Sequence, residues 1–330
     1  MKKVLVMGAT GAMGQYIVPL LAGMGFQVDA VALDAKEYPF PNVRGIAADC
    51  KDFKVRRELL ANNYDGIVDF MAYNSAEISW YIPDLLASAG HYIFLSSYRI
   101  YANEEVPIKE TSPRLKEATK DILLENSDDY CIYKARGENV VRAIGNKNWT
   151  IVRPAVTYSF MRYQLVTLEA PCTVGRALAG KKVVLPVQAK DIQGTMSWAG
   201  DVAEMIAKLL FNEKALEGTF SVSTAEHHSW GEIADYYKDI CGLESVWVDK
   251  EDYLRIFENF IPCRWQLEYD RLFNRIIDNS AVLEATGMKQ ENLRPLYDGL
   301  KYEISRCPAS FAEISAEDNW NKSMDRYLKG

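Results

Sequence analysis

The chain is poor in the residues that mark metal and redox sites. Its 330 residues include three histidines and six cysteines. The cysteines stand at Cys50, Cys131, Cys172, Cys241, Cys263 and Cys307, with no Cys-x-x-Cys pair among them. They read as small buried hydrophobes, and such usage points to a cytoplasmic location. His227 and His228 are neighbours, and adjacent side chains diverge on a strand or a helix, so no metal site is expected. No run of 18 apolar residues occurs, which excludes a helical membrane span. The opening "MKKVLVMGATGAMG" starts like a short signal peptide, but glycines end its apolar run after Met7, so it reads as a first strand. Positive charge is also in deficit: 38 Lys and Arg face 45 Asp and Glu, a net charge of −7. A nucleic-acid phosphate backbone is therefore not the expected partner. No internal repeat or low-complexity segment is present.

What remains is ordinary globular composition, 48% hydrophobic and 25% charged. The length exceeds one typical core and predicts two lobes. In the first half, short apolar runs at Val4–Met7, Val28–Leu33, Val43–Ala48, Gly66–Met71, Tyr92–Leu95 and Thr150–Val152 read as strands. Helical patterns at Ala12–Gly23, Lys54–Asn62, Ser75–Ser88 and about Leu115–Ile144 lie between them. This alternation predicts an α/β fold with a Rossmann-type, doubly wound parallel sheet, which binds ligands at the carboxyl ends of its strands. After Pro154 the alternation stops. Residues 157–194 look irregular, 201–211 form an amphipathic helix, 219–224 alternate like a strand, and 229–242 carry a capping box and a glycine stop. The tail from residue 250 is helical and rich in aromatics. The expected division is a sheet domain over 1–156, rejoined by 195–225. A smaller, mostly helical substrate lobe covers 157–194 and 226–330.

"GATGAMG" follows the first strand and opens a helix, the setting in which glycines let backbone approach a pyrophosphate. Gly8, Gly11 and Gly14 therefore predict a dinucleotide site. Asp34 ends the second strand, 20 residues after Gly14, where a carboxylate holds ribose hydroxyls and repels a 2′-phosphate. NAD is thus expected over NADP, with Lys36 close by as a counterweight. Further on, "NSDDYCIYKARG" places Tyr130 and Lys134 four residues apart, on one helix face. A cation beside a tyrosine favours the phenolate, and such a pair suits proton transfer.

The motifs occur in an order that resembles the extended short-chain dehydrogenase/reductases, the NAD-dependent epimerase/dehydratase family. "AADCKD" (47–52) is similar to the family's adenine-contacting segment, and "DFMAYN" (69–74) to its H-x-A-A stretch, with Phe70 at the histidine. "FLSSYRIY" (94–101) resembles S-S-x-x-V-Y, and "VPIKETSPR" (106–114) resembles P-x-x-E-x-x-P. "YCIYKARGE" (130–138) resembles Y-x-x-x-K-x-x-x-E, and "WTIVRPAVTY" (149–158) resembles T-I-x-R-P-x-x-V-Y. "WAGDVAEMI" (198–206) and "DNSAVLEATGM" (278–288) match two later segments. The resemblance spans nearly the whole chain.

It implies catalytic roles for Ser97, Tyr130 and Lys134. Gly8, Thr10, Gly11, Ala12, Met13, Gly14, Asp34, Asp49, Cys50, Phe70, Met71, Ala72, Ser96, Pro154 and Val156 would join Tyr130 and Lys134 around the cofactor. Tyr98, Arg99, Phe160 and Arg162 would face substrate, and no metal is implied. Strand alternation turns Ser96 to the other face from Ser97. Tyr98 and Arg99 stand where dehydratases carry Asp-Glu, which disfavours a 4,6-dehydratase. Gly194 stands where many nucleotide-sugar enzymes carry a diphosphate-gripping Arg; Arg162, Arg176, Arg264 and Arg294 are candidate substitutes. The resemblance also implies a homodimer and a small-molecule substrate. Three activities follow: an NAD-dependent epimerase of a sugar or nucleotide-sugar, an NAD(P)-dependent carbonyl reductase or alcohol dehydrogenase, and a non-catalytic RNA-binding relative. Net negative charge and the intact Ser97, Tyr130 and Lys134 set disfavour the last.

Overall fold

The computed structural model describes residues 1–34 and 36–329. Six parallel strands come from the first half: β1 (Lys3–Met7), β2 (Gln27–Ala32), β3 (Val43–Ala47), β4 (Tyr64–Asp69), β5 (Ala89–Leu95) and β6 (Trp149–Val152). Short strands β7 (Val156–Tyr158), β8 (Val183–Pro186), β9 (Gln193–Gly194) and β10 (Met196–Trp198) follow, and β11 (Gly218–Phe220) adds a seventh strand at the sheet edge. The order is β11-β6-β5-β4-β1-β2-β3, doubly wound about β1 and β4 as the alternation predicts. The centres of β1 and β4 are apolar because helices cover both faces, and β5 carries one buried polar side chain, His91, among apolar neighbours.

Helices α1 (Gly14–Gly23), α2 (Phe53–Leu60) and α3 (Ser75–Ala87) connect the early strands. The stretch expected as one helix over 115–144 is three: α4 (Leu115–Ala118), α5 (Ile122–Glu125) and α6 (Tyr130–Ala143). Side chains break it. Asp121 accepts from the N–H groups of Leu123 and Leu124, and Asp129 accepts from Cys131 N–H. Each carboxylate caps a new helix instead of extending the old one. Tyr130 is therefore the first residue of α6. Residues 157–194 hold a short helix, α7 (Val174–Leu178), besides β7 to β9. Helix α8 (Ala199–Leu209) then returns to lie on α1, burying Val202, Met205, Ile206 and Leu209 beside Val4, Val6, Ile17 and Val18. Helix α9 (Trp230–Cys241) has the predicted capping box, Ser229 with Glu232, and ends at Gly242 with φ +74°. A separate core joins β7, β8 and α9 to the C-terminal helices around Tyr158, Trp230, Tyr237 and Phe257.

Two buried titratable groups sit beside α8 and respond oppositely to pH. Burial pushes the Asp201 carboxyl up to about 6. It pushes His91 down to about 4, and Nδ1 of His91 accepts from Phe211 N–H at 2.8 Å just past the helix end. Between these values and the unfolded ones, the folded state holds an extra proton at Asp201 and lacks one at His91. Asp201 therefore costs stability as pH rises through 4 to 6, and His91 adds it. We expect Asp201→Asn to gain about 2 kcal/mol over the wild type between pH 4 and pH 7, read from urea midpoints at each pH.

Candidate active site

The chain leaves β1 at Met7 and enters α1 at Gly14 through the glycine loop. Gly8 has φ +79°, and a Cβ there would meet the Phe70 Cβ at 3.2 Å. A Cβ on Gly14 would lie 2.3 Å from Gly8 O, so only glycine lets the helix approach its strand this closely. The N–H groups of Gly8 and Ala9 both donate to Val31 O, and Thr10 Oγ1 donates to Asp34 Oδ1 at 2.7 Å. The loop is thereby tied to the end of β2. No side chain caps the start of α1 and its first turn carries no acid. The Gly14 N–H, which has no backbone acceptor among the described residues, and the positive dipole end suit a phosphate.

A cavity of about 750 Å³ runs from this loop along the carboxyl edge of the sheet. Gly8, Thr10, Gly11, Ala12, Met13, Gly14, Asp34, Asp49, Cys50, Phe70, Met71, Ala72, Ser97, Tyr98, Arg99, Tyr130, Lys134, Pro154, Val156 and Arg162 all line it. These residues fit a dinucleotide: a glycine cradle, an acid at each end of the adenosine side, and a lysine and hydroxyls at the far end. Cys50 is held as a thiol, because burial, then Asp69 and Asp49, push it up to about 12.

Lys134 is 2% exposed and donates to Leu95 O at 2.7 Å and Met71 O at 3.2 Å. Its Nζ lies 5.8 Å from the Tyr130 ring centre, and the Arg99 guanidinium lies 5.4 Å from it on another approach. Ser97 stands two residues beyond β5, and its Oγ accepts from Arg99 N–H at 3.2 Å. Tyr133 packs edge-on against Tyr130 at 5.3 Å and does not line the cavity. Burial pushes its phenol well above the ordinary value.

Two expected residues lie elsewhere. Ser96 is fully buried on the opposite side of its strand, beside the Glu138 carboxylate, and so is no cofactor ligand. Phe160 turns away from the cavity to stack with Arg306 at 4.9 Å. Of the substrate-facing set, Tyr98 is 3% exposed and donates to Asp270 at 3.0 Å, while Arg99 pairs with Asp129 at 3.2 Å.

The structure adds Lys51, Thr157, Gln164, Glu169, Gln266 and Arg271 to the walls. Glu169 comes from a loop, and Gln266 and Arg271 from consecutive helical turns over 261–271, far along the chain from the other walls, so they carry no local signal. Arg271 donates to Tyr98 Oη and Val166 O at 2.6 Å each and pairs with buried Asp270. The candidate diphosphate arginines are engaged elsewhere: Arg176 with Asp325, Arg264 with Glu251, Arg294 over Trp198. Arg162 has no carboxylate partner among the described residues. Those residues also contain no cluster of metal-ligating side chains and no helix long and apolar enough to cross a membrane.

Known proteins share this architecture. An epimerase from Methanothermobacter thermautotrophicus superposes with a TM-score of 0.70 at 13% identity, covering 98% of this chain and 94% of its own. UDP-glucose 4-epimerase of Thermus thermophilus, solved with NAD, has a TM-score of 0.65 at 19% identity, covering 92% and 98%. In sequence, the chain is 24% identical over 248 residues to the chloroplast stem-loop binding protein of 41 kDa b of Arabidopsis thaliana. That match covers 71% of this chain and 61% of the plant protein's length. The model of the NAD dependent epimerase/dehydratase family matches residues 4–222, and the chain belongs to that family.

Proposed function

We propose that the protein is an NAD-dependent epimerase of a sugar or nucleotide-sugar, with Tyr130 as its acid and base. The observation that carries this reading is the meeting of Ser97, Tyr130 and Lys134 in one cavity with the glycine loop. The glycine loop and Asp34 would hold NAD, and bound there it would supply reversible hydride acceptance at the substrate carbinol carbon. Tyr130 takes the hydroxyl proton as the carbonyl forms and gives it back on reduction. Ser97 donates a hydrogen bond to the reacting oxygen. Lys134 places its Nζ behind the tyrosine, held by two backbone carbonyls.

The test uses purified protein without added cofactor. Nucleotide sugars and simple aryl glucosides are incubated with it, and anomeric protons are followed by NMR. A new epimer signal supports the proposal. Silence together with NADH-dependent reduction of carbonyl compounds favours a net oxidoreductase and overturns it.

Asp34 underlies the preference for NAD. Its carboxylate is exposed, faces the cavity and is aligned by Thr10. We expect Asp34→Asn to shift the NAD to NADP affinity ratio toward NADP by about tenfold, since it removes a charge that repels the 2′-phosphate. Fluorescence titration with the two reduced cofactors reads this ratio.

The plant relative's name, a stem-loop binding protein, together with the RNA-binding relatives the sequence resemblance includes, raises nucleic-acid binding as a second reading. A stem-loop RNA held at physiological salt, with affinity falling steeply as salt rises, would favour it. The net charge of −7 weighs against that outcome.

A further inference from the structure

A second cavity, of about 640 Å³, adjoins the first. Arg99, Tyr130, Glu169 and Gln266 line both, so the chambers meet at the tyrosine. The walls of this chamber include Phe257, Phe260, Trp265 and Trp320. Phe257 meets Trp320 edge-on at 5.2 Å, and Phe260 lies 6.2 Å from the same indole. Its charged side chains are almost all carboxylates, including Glu169 and Asp318. The single basic side chain is Arg99, which pairs with Asp129 at 3.2 Å and lies 3.6 Å from Asp270, a carboxylate it shares with Arg271 and Arg275.

Glu169 and Asp318 each spend one oxygen on the protein. Glu169 Oε1 accepts from Gln164 Nε2, and Asp318 Oδ1 accepts from Asn321 N–H at 3.0 Å. Their second oxygens have no protein donor among the described residues. A nucleoside diphosphate is a polyanion, and this chamber offers it one arginine already paired with Asp129, while Arg162, without a carboxylate partner among the described residues, lines only the first chamber. Gly194 does not help, because a Cβ there would lie 2.9 Å from the Trp230 ring, so no larger side chain fits. Aromatic faces and carboxylates together favour the opposite charge: cations are drawn to the ring quadrupole and paired by the acids.

We infer, resting on the epimerase reading above, that this chamber receives an apolar substrate group bearing a protonated amine in place of a nucleoside diphosphate. The reacting sugar carbon then lies at Tyr130, where the chambers join, and the amine-bearing group lies among the aromatics.

Calorimetric titration of the NAD-loaded protein with three probes tests this: phenethylamine, its neutral counterpart 2-phenylethanol, and UDP. The expected result is at least fivefold tighter binding of the amine than of the alcohol, with no heat from UDP at the same concentrations. Glu169→Gln should weaken the amine about three- to tenfold and leave the alcohol unchanged, the modest size reflecting the exposure of Glu169. Phe260 is 52% exposed, so Phe260→Ala should fold normally and weaken both aromatic probes. Equal binding of amine and alcohol, no amine binding, or tighter binding of UDP than of amine overturns the inference. The activity is scored separately. Amine selectivity without any epimer in the NMR incubations overturns the epimerase reading and upholds the chamber's chemistry. Epimer formation with tight UDP binding does the reverse.

Discussion

Tyr130→Phe is expected to lower turnover by about 10²- to 10⁴-fold while the protein still folds and retains NAD. The hydroxyl is the group lost, and the ring keeps its contacts with Tyr133 and the two flanking cations. Tyr133→Phe supplies the contrast. Tyr133 lies outside both cavities, and burial raises its phenol out of the range useful for proton transfer near neutral pH. That variant should keep turnover within a few fold of wild type. Single-turnover rates and the NAD content of each purified protein distinguish a lost acid–base group from a lost cofactor. Full activity in Tyr130→Phe with none in Tyr133→Phe would move the chemistry to the neighbouring tyrosine.

The second large effect falls on Glu138, one turn beyond Lys134 on α6. Glu138 is fully buried and faces Arg153, itself 2% exposed, through two hydrogen bonds of 2.8 and 2.7 Å. Burial alone would raise the Glu138 carboxyl, but the Arg153 bonds and charge hold it below its ordinary value. Arg153 stands just before Pro154, which lines the cavity, and also donates to Glu110 O at 2.8 Å. The pair thus fastens α6, and with it Tyr130, to the end of β6. Glu138→Leu leaves a buried guanidinium without its main counter-charge and should cost about 3–5 kcal/mol, measured by urea unfolding. The double variant Glu138→Leu with Arg153→Met should recover part of that loss, because the stranded charge is gone. A single variant as stable as wild type would show that the ion pair does not hold the helix.

The parts of the site that were legible in the sequence are those written in local spacing. The glycine loop needs three glycines between a strand and a helix, and Asp34 follows from the length of one βαβ turn. Tyr130 and Lys134 are legible because four residues make a helical turn. Strand parity placed Ser97 and Ser96 on opposite faces, yet the family pattern alone put Ser96 at the cofactor. The structure follows the parity. The break before α6 was hidden because Asp121 and Asp129 are compatible with a helix surface until their carboxylates find free N–H groups. Phe160 was drawn out of the cleft by Arg306, a partner far along the chain. Glu169, on a loop, and Gln266 and Arg271, on helical turns, reach the walls from segments whose positions depend on packing between distant parts of the chain. No window of sequence contains that information.

The return of α8 and β11 to the sheet governs how the protein can be made. Until residues 199–220 leave the ribosome, β6 has an open edge and the apolar face around Val4, Val6, Ile17 and Val18 has no cover from Val202, Met205, Ile206 and Leu209. At about 5–20 residues per second, that bare surface persists for roughly several seconds of translation. A gene fragment stopped after β6 would carry every glycine of the loop and the Tyr130–Lys134 pair, yet yield an aggregating polypeptide. A soluble cofactor-binding fragment must be spliced to include the later segment.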